Sequence, residues 1–498
     1  MQSNPQGPQD GGLSHPNGDP TSVNLGKDDI AAIGPTTAGP TTITVLDADE
    51  DDANFEPPKG RGAATVVLGV SQSIDNTEGG VSKTFFPQIM NAFGVGDSGL
   101  GLLNAIGMLA RCIFGPFWAV LADRFGRKRI LFVVTGLWGL WTLATGFATS
   151  WTMLLILYSI ALVGTVASEP ILNGLLGSLY RSSERGKAFG TVRGVSAALG
   201  IIMTPLLGQF GGNPEGWRYA MFAMGGLSII SGVLILIFVH EPERVSAENA
   251  EEMKSEAGLF KWSDAAKLFK IPTLALMAPM LLFVTSLILF GFQGTFWARD
   301  LGYGVTNGSY LYTVMQIGMT LSAFLGGWMG DRFQKRFGDK GRIMLFQIYA
   351  LAFAAITFVA IQMAPVFDPD VSPIGRNQPP SNDPSFAYYV VVFLMGLIFS
   401  WGFSGSVLPM VSRVCPTQLS ATSFAVLFSL VQGAITAVLS LSTGAISEAM
   451  GSLQTTLLWF VSVPYVINAL YWTLFYKTYP KDAALQKERT RMIDEGTF

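Results

Sequence analysis

The strongest constraint on this chain is a series of apolar stretches, each long enough to cross a bilayer. At 1.5 Å rise per residue, about 20 apolar residues span the hydrocarbon core as a helix. Six stretches lie at Ala63–Met90, Gly99–Leu121, Ile130–Thr149, Met153–Leu179, Phe189–Phe210 and Tyr219–Val239. Six more follow at Ile271–Trp297, Tyr310–Met329, Ile343–Met363, Ala387–Val411, Leu419–Ile446 and Leu453–Tyr476. In lipid a helix satisfies its own backbone N–H and C=O groups, which an open sheet cannot do. Charge is scarce to match: 13% of the 498 residues are Asp, Glu, Lys or Arg, about half the share of a soluble chain. The expectation is an all-α membrane protein with twelve transmembrane helices.

The composition also excludes functions. A net charge of −3 gives no footing for a nucleic-acid partner. The two cysteines, Cys112 and Cys415, cannot build a disulfide framework, and His15 and His240 are the only histidines. No Walker loop and no dinucleotide fingerprint stands between a strand and a helix. Enzyme chemistry, a metal and a cofactor are therefore not expected. With no ATP-binding element, any work the chain does on a solute draws on a gradient unless a separate subunit supplies the energy.

Basic residues set the orientation. The second-to-third connection carries Arg124, Arg127, Lys128 and Arg129, and the fourth-to-fifth carries Arg181, Arg185 and Lys187. The eighth-to-ninth carries Arg332, Lys335, Arg336, Lys340 and Arg342, whereas the opposite connections near Gly94–Gly99 and Ser150–Trp151 carry none. The positive-inside rule puts these loops and both termini in the cytoplasm. Compact loops point to a plasma membrane of the bacterial inner-membrane kind. Residues 1–61 are rich in Gly, Pro, Ser, Thr and Asp, with the acidic run Asp47–Asp52, and read as a disordered cytoplasmic tail. A regulatory or partner-binding tail is the alternative. A six-helix bundle follows over 62–240, a cytoplasmic linker over 241–270, a second bundle over 271–477 and a cytoplasmic tail over 478–498. The linker segment "FKWSDAAKLFKI" is suited to an amphipathic helix on the inner surface. The stretch Phe367–Ser385 reads as an irregular outer loop.

Two loops repeat each other: "AVLADRFGRKRILF" around Asp123 and "GGWMGDRFQKRFGDKGRIMLF" around Asp331. Each follows the second helix of its half, as duplication of a six-helix unit requires. Here the chain resembles the major facilitator superfamily, whose signature is met by Leu121, Ala122, Asp123, Arg124, Gly126, Arg127 and Lys128. Ala119 replaces the first glycine of that signature. The second copy keeps it as Gly327 but has Gln334 at the later one. The resemblance implies two pseudo-symmetric bundles of the major facilitator fold. It also implies gating by Asp123, Arg124, Arg127, Asp331 and Arg332, which latch the halves in the outward-open state and release them in the inward-open one. Topology marking by charge alone is the other reading. "GIIMTPLLGQFGG", with Gly200, Pro205 and Gly208, partly resembles an antiporter pattern of that family. The first-helix Asp, "FGVGDSG" and "EGWRYAMF" are similar to its Spinster branch, although that branch's Arg in the fourth helix is absent here.

Ionisable residues inside apolar spans are the candidate machinery: Asp75 and Glu78, Arg111, Glu169 and Arg193. Each costs about 2.5–3.5 kcal/mol to insert at the bilayer centre. Asp75 lies about 21 Å of helical rise past Arg61; Arg111 and Glu169 each lie about 18 Å from the inner ends of their helices. Asp75 and Glu78 are three apart and share a helical face. The resemblance implies that the first and fourth helices of each half line the pathway, which puts Asp75, Glu78 and Glu169 there. Proton coupling through Asp75, Glu78 and Glu169, with Arg111 as counter-ion, is one reading; structural ion pairing is the other. Glu78 and Lys83 also read as rim groups. In the second half Gln293, Gln316 and Trp401 are the expected substrate contacts, and Trp297 an interfacial anchor.

The resulting expectation is a monomeric secondary transporter in the lipid bilayer. It exports an amphipathic small-molecule substrate by alternating access in exchange for protons. The alternatives are a proton symporter for an organic anion, with Arg111 holding its carboxylate, and a non-transporting receptor with a transporter fold.

Overall fold

The computed structural model describes Pro58, residues 60–241, 268–363, 383–416, 419 and 423–494. The expected acidic tail, the amphipathic linker segment and the loop at 367–385 lie outside these residues, apart from their edges. Among the described residues the chain is helical. We number the long helices α1 (Arg61–Thr84), α2 (Asp97–Phe125), α3 (Arg127–Gly146), α4 (Trp151–Leu179), α5 (Glu184–Gly212) and α6 (Gly216–Phe238). The second six are α7 (Pro272–Asp300), α8 (Gly304–Phe337), α9 (Lys340–Gln362), α10 (Phe386–Val414), α11 (Ala425–Met450) and α12 (Leu453–Met492). Ten are long and apolar enough to cross a membrane. The other two, α1 and α8, are interrupted by polar residues such as Gln72, Asn76, Gln316 and Thr320, and both face the cavity described below. Below, "basic end" means the side bearing the Arg- and Lys-rich loops and "far end" the opposite side.

The duplication extends beyond the loops. α3 packs on α6 as α9 packs on α12, and the halves meet along α2 with α11 and α5 with α8, pairs that exchange under a shift of six helices. The equivalent contacts are made with different chemistry. In α3–α6 two glycine pairs let the backbones touch: a Cβ added to Gly136 would lie 2.8 Å from the Cα of Gly232. In α9–α12 Phe346 stacks flat on Trp472, with centroids 3.7 Å apart. Gly94 (φ 66°) and Gly302 (φ 67°) turn the chain towards α2 and α8 at matching places. Large apolar side chains such as Ile230, Phe358, Trp459 and Leu470 stand exposed on helices outside the cavity, as a lipid-immersed surface requires.

Local chemistry revises several boundaries. The first span is not continuous to Met90: α1 stops at Thr84, and a short helix Phe86–Phe93 restarts with Pro87 in its first turn, where a missing N–H costs nothing. α7 ends in a π-helical turn, Phe296–Asp300. That turn carries Trp297, which is not an interfacial anchor: it is 2% exposed and its indole N–H donates to the Tyr388 hydroxyl at 3.0 Å. α12 runs on through the expected tail. Its Asp482 accepts from the Thr273 backbone N–H at 2.8 Å, capping the start of α7 from afar. In the second basic loop the helix closes on Gly338 (φ 62°), whereas in the first it closes on Gly126 (φ 100°). Asp331-Arg-Phe-Gln-Lys-Arg-Phe-Gly338 is thus Asp123-Arg-Phe-Gly126 with four residues, about one helical turn, inserted. The glycine absent at Gln334 is displaced, not lost.

Candidate functional site

A cavity of about 390 Å³ lies between the halves. Its walls come from α1, α5, α7 and α8. This differs from the expectation that the first and fourth helices of each half would line it. On α1 the lining face is Ser73, Asn76, Thr77, Gly80 and Thr84, a small polar stripe at helical spacing. Lys83 and Arg193 enter it, and no carboxylate stands among the described residues that line it. Gln293 and Gln316 line it. Gln293 is 1% exposed, and both polar atoms of its amide lack a hydrogen-bond partner, an arrangement that costs free energy unless a ligand completes it. Phe290, Tyr312 and Met319 supply an apolar wall. Trp401 is not among the lining residues; its buried indole N–H is unpartnered, and its backbone packs against Gly326 of α8.

The acidic residues separate into two environments. Asp75 and Glu78 occupy the face of α1 turned away from the cavity, towards α3, α4 and α6. Thr135 donates to Asp75 Oδ2 at 3.2 Å, while Oδ1 has no partner. Thr142 and Ser228 donate short hydrogen bonds to the two oxygens of Glu78. Both acids are buried, and neither forms an ion pair among the described residues. They do not line the pathway in this conformation because the α1 face that meets the cavity is the neighbouring one. Glu169 instead pairs with Arg111 across α4 and α2 at 3.5 Å, and both side chains are about half exposed. The Arg111–Glu169 pair is thus one of the two pairings open from the sequence, and Asp75 meets hydroxyl groups instead of either partner.

The cavity is closed at its far end by contacts that sequence reasoning missed. Arg299 donates to both oxygens of Asp97, at 2.5 and 3.2 Å, joining α7 to α2. Ser447 of α11 donates to the same carboxylate at 2.6 Å, and the Ser98 N–H donates to Glu448 at 3.2 Å. Thr306 donates to the Gly208 carbonyl at 2.8 Å, and Gln209 to the Tyr310 hydroxyl at 2.8 Å, joining α8 to α5. The only hint in the sequence was Asp97 within "FGVGDSG".

At the basic end each repeated loop is tied to its own half. Arg127 bridges Asp123 (2.9 Å) and the Gly174 carbonyl of α4 (2.6 Å). In the second half Arg342 bridges Asp331 (2.9 Å) and the Gly405 carbonyl of α10 (2.6 Å). The Arg after each Asp lies over an aromatic ring: Arg124 over Phe125 at 5.4 Å and Arg332 over Trp328 at 5.7 Å. Arg342, read from the sequence only as a loop charge, is the functional counterpart of Arg127. It stands eleven residues after its Asp where Arg127 stands four after, so the four-residue insertion alone does not bring the two into register.

Comparison with known proteins agrees with this architecture. The model of the Major Facilitator Superfamily matches residues 68–439. The sphingosine-1-phosphate transporter SPNS2 of Danio rerio is 33% identical over 165 residues, covering 32% of each chain. Protein spinster homolog 1 of Homo sapiens is 25% identical over 195 residues, 38% of this chain and 36% of that one. The matched stretches thus span about a third of the length of these relatives. The quinolone resistance protein NorA of Staphylococcus aureus is 22% identical over 283 residues, 56% of this chain and 68% of NorA. Among solved structures, a bacterial homolog of the human lysosomal transporter Spinster, inward-facing and unoccupied, superposes with a TM-score of 0.66 at 17% identity, covering 87% of this chain and 99% of that one. A D-xylose-proton symporter superposes with a TM-score of 0.62 at 14% identity, covering 85% and 98%. With twelve long helices among the described residues, in two related halves around a central cavity, this chain belongs to the major facilitator superfamily, a family of transporters, and is a multi-pass membrane protein.

Proposed function

We propose that the chain exports an amphipathic organic compound bearing an anionic group, in exchange for protons. It does so as a monomer in a plasma (inner) membrane with both termini in the cytoplasm. One observation carries this reading: the cavity holds two cations, Lys83 and Arg193, the unpartnered amide of Gln293, an apolar wall of Phe290 and Tyr312, and no lining carboxylate. Such a wall accepts an apolar body while the cations and amide hold a charged head. The names of two relatives support a cargo of this kind, since sphingosine-1-phosphate joins an alkyl chain to a phosphate and quinolones join an aromatic body to a carboxylate. The test is thermal stabilisation of the purified chain by dodecyl phosphate and by dodecyltrimethylammonium below their micellar concentrations. Dodecyl phosphate is expected to stabilise the native chain but not the Lys83→Gln/Arg193→Gln variant. Equal stabilisation by the cationic amphiphile contradicts the reading.

Coupling is assigned to the acids behind the cavity. A bare carboxylate is costlier to bury than a neutral acid. Asp75 is held by the Thr135 hydroxyl with no cation in contact, which makes it the proton-carrying group of this reading, while Glu169 lies against Arg111. Alternation moves each acid between such surroundings, with Arg111 as the counter-ion that resets. If pH-gradient-driven flux in vesicles survived intact in the Asp75→Asn/Glu169→Gln variant, the coupling assignment would be discarded. One observation favours the opposite direction of transport: the Arg111–Glu169 pair is half exposed and spans 3.5 Å, loose enough to yield to a substrate carboxylate. Acid-stimulated uptake in the same vesicles, in place of efflux, selects that reading.

A further inference from the structure

The basic end holds a second cavity, of about 650 Å³, apart from the substrate pathway. Its walls are the α2–α3 loop, through Arg124, Phe125, Lys128 and Arg129, and the end of α6, through Leu236 and His240. Glu241 also borders it, but its carboxylate accepts the backbone N–H groups of Arg127 and Lys128, each at 3.0 Å. Its charge is thereby spent on the start of α3. Among the described residues no carboxylate pairs with Arg124, Lys128 or Arg129. Beside these cations the surface is apolar. Phe125 is 53% exposed, and Leu236, Ile237 and Phe238 are exposed along the last turns of α6.

Three cations without an acidic partner among the described residues, next to an apolar surface, call for a ligand with an anionic head and an apolar body fixed in the leaflet. We propose that this cavity binds the phosphate-bearing headgroup of an anionic phospholipid, whose acyl chains lie along the exposed residues of α6. The headgroup phosphate sits among Arg124, Lys128 and Arg129, as basic pockets at the ends of membrane helices receive such lipids. A zwitterionic headgroup fits less well, because Glu241, the one acid among the described lining residues, is already engaged and offers nothing to a choline. The loop that forms the cavity also carries the Asp123–Arg127 pair, so an occupied site steadies the loop that ties α2 to α4.

The test is native mass spectrometry of the full chain released from nanodiscs of equimolar phosphatidylglycerol and phosphatidylcholine. The native chain is expected to retain phosphatidylglycerol preferentially. Lys128→Gln/Arg129→Gln, which removes two of the three cations, is expected to lower that preference about thirtyfold. Arg185→Gln/Lys187→Gln removes equal charge from the basic end of α5 and is expected to leave it intact, as is the charge-preserving Lys128→Arg/Arg129→Lys. The proposal is overturned if the native chain shows no preference for phosphatidylglycerol, or if both neutralised variants lose it equally. It is also overturned if millimolar inorganic phosphate strips the lipid from the native chain, which would mark a site for a soluble anion and needs no variant to detect.

Discussion

Removing the Asp97 charge should open the far end of the transporter, by an amount that the geometry allows to be worked out. Asp97 is nearly enclosed, with 7% of its side chain exposed, and receives two hydrogen bonds from Arg299 and one from Ser447. Breaking a buried ion pair by deleting one partner costs about 3–5 kcal/mol. Here the loss is smaller, because Arg299 is 30% exposed and keeps Asp300 at 3.0 Å, and because Asn can still accept from Ser447. A cost of about 2 kcal/mol to the far-closed conformer is reasonable. That cost moves the balance with the far-open conformer about thirtyfold. The chain has only two cysteines, so Cys112→Ala/Cys415→Ala gives a clean background. Into it Thr84→Cys, which lines the cavity, is introduced with and without Asp97→Asn. A membrane-impermeant maleimide applied from the far side should label Thr84→Cys about thirtyfold faster when Asp97→Asn is present. An unchanged rate, in protein that remains folded and monodisperse, refutes the assignment of Asp97–Arg299 as the far-end closure.

Three further outcomes follow from packing and capping. Gly136→Leu forces α3 from α6 and is expected to cost about 2–3 kcal/mol, read as a fall in melting temperature by intrinsic fluorescence. Gly226→Leu, where an added Cβ meets nothing within 4 Å, should not change it. Arg342→Ala takes a donor from the Gly405 carbonyl and the Gln334 amide oxygen, while Asp331, 70% exposed, is rehydrated; a loss of about 1–2 kcal/mol is expected, and Arg342→Lys should recover less than half of it, for want of the planar fork. Asp482→Ala removes the cap from α7 and is expected to cost about 1 kcal/mol, with faster hydrogen exchange at Thr273 as the local readout.

What the sequence discloses here is set by the range over which it acts. Apolar length, basic loops and the two Asp-Arg-Phe copies are local signals, and they carried the span count, the two halves and the family. The levels of Asp75, Arg111 and Glu169 along their helices are estimated from helical rise alone. Their partners did not follow. One residue of rotation on α1 decides whether Asp75 or Asn76 meets the cavity, and only the packing against α4, α5 and α6 fixes that rotation. Lys83 read as a rim group for the same reason. The Asp97–Arg299 closure joins residues 202 apart and has no periodic signature. Arg342 escaped notice because it lies eleven residues after Asp331, where Arg127 lies four after Asp123, and a contact at that separation has no counterpart in the repeat.

The account rests on two bundles that rock about a central cavity, and that motion can be measured without knowing the cargo. Spin labels at positions 187 and 335, both exposed at the basic ends of α5 and α8, report the basic opening. Labels at 213 and 307, beside the far ends of the same helices, report the far one. Double electron–electron resonance in nanodiscs is expected to show the two distances changing in antiphase when Asp97→Asn is introduced: the basic pair draws together as the far pair separates. If both pairs lengthen together, or the far pair opens while the basic pair stays fixed, the halves do not pivot about the cavity and the account is wrong.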